Sequence, residues 1–239
     1  VARSEALFLA FVLHRRDYSD TSLLLEVFAV GEGRFPAIAK GARRKKSTAS
    51  ALLQPFQPLW LGATGRGEVR TLTRVEGAGA AIALRARALI GGFYLNELLM
   101  RLLGRNDPHD ALFAFYQVAL TALAEGQDLD TVLRQFELRL LDEIGYGMTL
   151  DRAASDGIPV RSDLSYVYDQ ELGVRLSGLS EPGLVLSGAT LLALAAGEPL
   201  EAEQRREARS LLRIALAPHL GGKPLQSREL YRRWFGADG

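Results

Sequence analysis

The stretch Ser22-Leu23-Leu24-Leu25-Glu26-Val27-Phe28-Ala29-Val30, Gly31-Glu32-Gly33, Arg34-Phe35-Pro36-Ala37-Ile38-Ala39-Lys40 decides the fold. Two apolar runs of strand length flank a turn bracketed by glycines, the signature of a hairpin. Working backwards, Ala6-Leu7-Phe8-Leu9-Ala10-Phe11-Val12-Leu13-His14 is a third strand-like run, apolar and aromatic without helical spacing. The polar segment Arg16-Asp17-Tyr18-Ser19-Asp20 is read as the turn after it. Working forwards, a strand around residues 56–61 passes through Gly62-Ala63-Thr64-Gly65-Arg66-Gly67 into Glu68-Val69-Arg70-Thr71-Leu72-Thr73-Arg74-Val75. Five short strands within this length predict a small closed or half-closed β-barrel. An OB-fold is the leading candidate, because it has about five strands and commonly binds single-stranded nucleic acid. An SH3-like barrel leaves much the same trace.

From about Ala80 the period changes to that of helices, predicted over residues 81–89, 92–103, 111–124 and 129–144. Leu133, Phe136, Leu140 and Ile144 form the expected stripe of the last of these, and Gly145 is its C-cap. Residues 149–186 are polar and marked by Gly, Pro and Asp, with strand-like pieces at 164–168 and 174–176. Helices near 188–196 and 201–216 and a last short helix follow. The fold class is therefore α+β, a small N-terminal β-barrel over residues 1–79 and a mainly helical region over 80–239 that carries a loop and strand insertion at about 149–186.

A chain of 239 residues with 48% apolar and 24% charged residues can bury a proper core. It has no cysteine, which excludes disulfides, thiolate metal sites and cysteine nucleophiles. The first ten residues lack a signal-peptide pattern, and no run approaches the roughly 20 apolar residues that span a bilayer. A cytoplasmic protein is expected. The net charge of +1 is unevenly spread: residues 1–80 carry 12 basic and 7 acidic side chains, and the remainder carries 17 and 21. Such asymmetry points to a polyanion-facing front and a neutral or acidic body.

Enzyme signals are weak. His14, His109 and His219 stand in no metal-ligand spacing, and neither a Gly-x4-Gly-Lys-Ser/Thr loop nor a Gly-x-Ser-x-Gly elbow occurs. The glycine-rich segment 62–67 lies in a hairpin and reads as a tight turn. No catalysis and no cofactor are expected. The informative run is Lys40-Gly41-Ala42-Arg43-Arg44-Lys45-Lys46-Ser47-Thr48, with five positive charges in seven residues on a loop leaving a strand. Such a loop suits phosphates, although a merely solvated basic loop has the same composition. Arg66, Arg70 and Arg74 add to it, and even spacing predicts that Arg70 and Arg74 share a strand face. Phe56 and Trp60 are read as core residues or a stacking platform. Arg134, Phe136 and Arg139 offer a second site: an apolar groove rimmed by arginine would hold a short acidic-aromatic tail. The alternative is a core helix with two solvated arginines. Arg205, Arg209 and Arg213 recur every four residues, with Glu201, Glu203 and Glu207 between them as intrahelical partners.

Several segments, in order, resemble the bacterial RecO family of recombination mediators. They are Phe11-Val12-Leu13-His14-Arg15, Ala39-Lys40-Gly41-Ala42-Arg43, Leu53-Gln54-Pro55-Phe56-Gln57-Pro58-Leu59, Tyr94-Leu95-Asn96-Glu97-Leu98-Leu99, Arg134-Gln135-Phe136-Glu137-Leu138 and Leu220-Gly221-Gly222-Lys223-Pro224-Leu225-Gln226-Ser227-Arg228-Glu229-Leu230. The resemblance implies an N-terminal OB-fold, binding of single- and double-stranded DNA, annealing of complementary strands and assistance to RecA loading on strands coated by single-strand-binding protein. It implies RecR and the acidic C-terminal tail of single-strand-binding protein as partners, no membrane, and a cytoplasmic, nucleoid-associated location. It raises the weight on residues 40–46 and turns Arg134 into a tail clamp. Many family members carry a four-cysteine zinc ribbon where this chain has residues 150–186. Here the ribbon is degenerate and no zinc is expected. A protein-docking scaffold that offers its basic barrel to an acidic partner is the alternative, and a nuclease is a more distant one.

Overall fold

The computed structural model describes residues 6–65, 67–178 and 183–236. The chain forms two compact units, Val1–Glu125 with Leu225–Gly239, and Gly126–Pro224. The junction that sequence reading places at residues 79–80 lies within the first unit, between the barrel and the long helix after it.

In the first unit, among the described residues, β1 (Phe8–Tyr18), β2 (Ser22–Ala29), β3 (Gly33–Ala39), β4 (Leu59–Thr64) and β5 (Arg70–Gly77) close a barrel in the order β1-β2-β3-β5-β4. Ala10 faces Leu59 across the antiparallel β1–β4 closure, and Ala37 faces Arg70 in the parallel β3–β5 pair. This is the OB arrangement, and the SH3-like reading is set aside. A one-turn helix, α1 (Ala49–Leu52), links β3 to β4 and is too short to have left a helical period in the sequence. β1 runs on through Arg16 and Tyr18, which pair with Leu24 and Ser22, so the turn is confined to residues 19–21. The polar side chains of this exposed strand end imitate a turn in the sequence.

The continuous apolar runs arise because β1 and β2 are buried on both faces. Inward, Ala10, Val12, Leu23, Leu25, Val27, Phe35, Ala37, Leu59 and Leu61 fill the barrel. Each leucine-sized side chain there contributes about 1.5–3 kcal/mol. Outward, Phe11 and Phe28 pack on Phe113 and Tyr116 of α3 (Asp110–Ala124), with ring centroids 5.3–6.4 Å apart. The β2–β3 turn is fastened as well. Gly33 has φ +68° and lies so close to the Asp107 backbone that a Cβ would stand 2.1 Å from its carbonyl oxygen. Arg34 donates to the Leu103 carbonyl at the C-cap of α2 (Ala86–Leu102), at 2.9 and 3.2 Å, and pairs with Glu26 at 3.0 Å.

α2 explains two of the sequence segments. Asn96 Nδ2 donates to the Leu13 carbonyl at 2.8 Å, while its Oδ1 accepts from the Tyr116 hydroxyl at 2.6 Å. Burial pushes the Tyr116 phenol up, so it stays a donor. Glu97 receives the start of α7 (Gln226–Phe235): its carboxylate accepts from Gln226 N, Ser227 N and Ser227 Oγ at 2.7–3.0 Å, and from Arg101 at 2.8 Å. An anion at a helix N-terminus satisfies N–H groups that have no partner within the helix. Burial pushes the Glu97 carboxyl up, but the Ser227 hydroxyl, the two backbone N–H groups and Arg101 together outweigh it and hold the group below its ordinary 4.5. Its stabilising contribution is therefore complete above that value and is lost as pH falls through the depressed folded-state value. Glu97→Gln should cost about 1–3 kcal/mol at neutral pH. In urea titrations at several pH values, its difference from the wild type should shrink below pH 4.5. A difference independent of pH would contradict the assignment.

In the second unit α4 (Leu129–Glu143) begins at Asp128, whose carboxylate accepts from Thr131 N at 2.9 Å. It ends in a Schellman turn: Gly145, at φ +86°, donates to Asp142 O at 3.0 Å and Tyr146 N donates to Leu141 O at 2.8 Å. The stripe is rotated from the expected one. Val132, Phe136, Leu140 and Leu141 are buried, whereas Leu133 and Ile144 are partly exposed. Residues 149–186 contain β6 (Ser165–Asp169) and β7 (Gly173–Leu176), with β8 (Leu184–Ser187) on the other edge of β6. This sheet packs Tyr166, Val174 and Leu186 against Leu191 and Leu194 of α5 (Gly188–Ala196) and Ala208 and Leu211 of α6 (Ala202–Leu216). Arg205 pairs with Asp128, the N-cap of α4, at 3.3 Å, and Arg209 with Asp130 in its first turn at 2.9 Å, so both reach across to α4. Burial pushes Asp130 up, but its bonds to Arg209 and the nearby Arg134 and Arg205 hold it below the usual range.

Candidate nucleic-acid interface

The basic loop leaves β3 at Lys40 and is held at both levels of its structure. Gly41 takes φ +70°, Ala42 is buried in the barrel core, and Arg43 N donates to the Thr21 carbonyl at 2.9 Å. Arg44 N and Ser47 N close successive turns on Gly41 O and Arg44 O, at 3.1 and 2.9 Å. The Arg43 guanidinium reaches the β1–β2 turn, donating to Ser19 O at 3.1 Å and pairing with Asp17 at 2.9 Å. Arg43 therefore anchors the loop. Lys40, Arg44, Lys45 and Lys46 are exposed and form no ion pair among the described residues. Four exposed cations on a fixed backbone, none of them in an ion pair among the described residues, give a positive field that needs little reorganisation to meet a phosphate chain.

The three other barrel arginines do not extend this field as expected. Arg70 and Arg74 lie on opposite faces of β5, because a bulge changes the register: Gly62 faces Arg74 while Ala63 faces Leu72. Thr73 is the extra residue, and both Leu72 and Val75 consequently pack on the barrel core. Arg70 lies over the Phe35 ring at 4.1 Å, pairs with Glu32 and donates to Asn106 Oδ1 at 2.8 Å, so its charge is engaged within the fold. Arg74 pairs with Glu76 at 2.7 Å, but its side chain is 58% exposed, and such pairs contribute little. Arg66 lies outside the described residues. Phe56 and Trp60 also part: Phe56 is buried beside Phe93, while Trp60 on β4 is exposed. Tyr18, exposed at the end of β1 beside the turn that Arg43 grips, is an aromatic that sequence reading assigned to a turn. Its place two residues beyond Arg16 on an apolar strand was the available signal.

The α4 side chains expected to rim a groove are engaged within the fold among the described residues. Arg134 is buried and pairs with the wholly buried Glu137 at 3.0 Å, Phe136 belongs to the core, and Arg139 is engaged by Asp142 and Glu143 at 3.3 and 3.4 Å. Arg134 points to a different side of the helix from Phe136 and Arg139, which are three residues apart, so the three do not rim one opening. Arg134 Nε is buried with no hydrogen-bond partner among the described residues. Among those residues no three His, Cys, Asp or Glu side chains gather as metal ligands, and no helix is long and apolar enough to cross a membrane.

The first unit thus holds a closed OB-type barrel whose basic loop is exposed and, at Lys40, Arg44, Lys45 and Lys46, forms no ion pair among the described residues. Residues 5–81 match the family model described as Recombination protein O N terminal, and residues 85–229 match Recombination protein O C terminal. The chain is 47% identical over 227 residues to a protein of Nitrosospira multiformis named DNA repair protein RecO, covering 94% of each chain. Proteins of the same name from Methylococcus capsulatus and Photobacterium profundum are 47% and 42% identical, over 93% and 95% of this chain and 91% and 96% of theirs. The chain belongs to the Recombination protein O family. That membership places it among DNA repair proteins.

Proposed function

We propose that this chain is a recombination mediator without catalytic chemistry of its own. It binds single- and double-stranded DNA, anneals complementary strands and assists RecA loading on DNA coated by single-strand-binding protein. The observation that carries the reading is the loop of Lys40, Arg44, Lys45 and Lys46, held open by Arg43 and unpaired among the described residues. Cations that neutralise phosphates lower the repulsion between two strands, the main obstacle to annealing, and contacts confined to the backbone leave base sequence unread. Tyr18 beside the loop supplies a ring on which a base can stack. Arg74, exposed on β5, adds a further cation.

RecR and the acidic tail of single-strand-binding protein are the partners of this reading, and the cytoplasm, at the nucleoid, is its location. Tail capture raises the local concentration of the mediator on coated strands without any new DNA contact. The test is the rate at which complementary oligonucleotides anneal when coated by single-strand-binding protein, with and without this chain. Acceleration that disappears when the tail of the coating protein is removed is the expected result. No acceleration by the folded protein, together with salt-sensitive binding to an acidic protein and none to oligonucleotides, would replace the reading with a docking scaffold.

A further inference from the structure

The basic loop accounts for one DNA-facing surface of the first unit, but a second cluster of arginines lies on its helices. α7 turns Ser227, Tyr231 and Phe235 toward α2 and leaves Leu230, Arg232, Arg233 and Trp234 exposed. Trp234 is 72% exposed. A side chain of that size gains stability by burial, so nothing in the packing of α7 explains an indole there. Around it stand Arg232 and Arg233, and beside the same end of α7 is the start of α2. Arg87 there lies over the rings of Tyr231 and Phe235, at 6.0 and 5.3 Å, with Arg85 two residues before it. Arg228 approaches Tyr94 on the inner side of α7. Glu229 is the acid of α7, and the first turn of α2 has none. Among the described residues none of Arg85, Arg87, Arg232 and Arg233 forms an ion pair.

From these observations we infer that the α2–α7 face is a second site for single-stranded nucleic acid, with Trp234 stacking on a base and Arg85, Arg87, Arg232 and Arg233 lying along the phosphates. The inference deepens, and rests on, the reading of the chain as a DNA-binding protein. An exposed ring among unneutralised cations is the combination that sequence-tolerant strand binding requires, because every base offers a π-face and every nucleotide a charge. A purely solvated basic face would need no indole, and a docking face for an apolar partner would not surround the indole with unpaired charge. The inference also gives annealing what one loop alone does not, a second surface on the same unit for the second strand.

The test uses Trp60→Phe in the full chain, which leaves Trp234 as the indole reporting on the site. Oligothymidylate should quench its emission saturably, in step with binding followed by the anisotropy of a labelled strand. Trp234→Ala should weaken binding on the order of tenfold, Trp234→Phe should recover much of that loss, and Arg232→Glu with Arg233→Glu should lower both affinity and its salt dependence. All three positions are exposed, so circular dichroism should show the fold unchanged. Normal anisotropy binding with no change in Trp234 emission and unaltered affinity of the variants would overturn the second site while leaving the loop intact. Quenching by polyglutamate or by phosphatidylserine vesicles, but not by oligothymidylate, would assign the face to another partner. Absence of any oligonucleotide binding by the wild type would remove the DNA reading and this site with it.

Discussion

Reversing Lys45 and Lys46 to glutamate weakens binding to an oligonucleotide on the order of a hundredfold at low salt and flattens the dependence of affinity on salt. The physical reason lies in counterion release: each phosphate neutralised by a fixed cation contributes about 0.7 to the logarithmic salt slope on a single strand. Removing two such contacts should lower the slope by about 1.4, and the two new negative charges repel the strand in addition. The size of the effect depends on how firmly the loop is held. Arg43 ties it to residues of the β1–β2 turn and Ala42 sits in the barrel core, so Arg44 and Lys40 cannot easily swing in to compensate. Anisotropy titrations across a range of salt concentrations check this. Unchanged affinity and slope would mean that DNA passes the barrel elsewhere. The reverse control is Arg70→Ala, whose charge Glu32 already engages; it should perturb stability more than it perturbs DNA binding.

Arg134→Ala destabilises the second unit by about 3–5 kcal/mol, the usual cost of removing one partner from a buried ion pair. Glu137 is wholly buried, and its pairing with Arg134 at 3.0 Å places a guanidinium against a carboxylate that would otherwise lose hydration without this compensation. Arg134 also favours the ionised form of Asp130, which anchors Arg209 of α6. Its loss therefore loosens the α4–α6 contact too. The companion variant separates charge from packing: Arg134→Met with Glu137→Leu keeps volume, removes both charges, and should restore most of the stability. Urea unfolding followed by circular dichroism reads both. A loss below about 1 kcal/mol for Arg134→Ala would indicate a hydrated pair of the kind found at surfaces.

The barrel was legible because its strands are short, bounded by glycine and apolar in runs, and because both faces of β1 and β2 are covered. The helices at 110–124, 129–143, 188–196 and 202–216 were legible to within a residue or two, since caps such as Asp128 and Gly145 are local residues, whereas the last helix runs on to Phe235, five residues past the segment that suggested it. What escaped was the three-dimensional bookkeeping of charge. Arg70 and Arg74 have the spacing of neighbours on one face, but a single extra residue, Thr73, separates them. Arg43 and Arg44 are adjacent in composition, yet only the fold decides that one clamps the loop and the other faces solvent. Arg134 fails as an open rim for the same kind of reason: helical spacing gives its angle, but not which neighbours close over it. The mate of Glu97 lies 130 residues away, beyond any local pattern.

That last separation has a consequence for biosynthesis. The residues that cap α7 onto Glu97 are translated after the whole of Gly126–Pro224, so the barrel unit waits, incomplete, while the other unit leaves the ribosome. During that interval the Glu97 carboxylate lacks its three donors from residues 226 and 227, and the flank of α2 that receives α7 is left uncovered. A chain arrested before residue 225 would carry this unfinished surface as a mark that folding helpers and proteases can read. Completion of the first unit is thereby coupled to synthesis of its distant C-terminal helix.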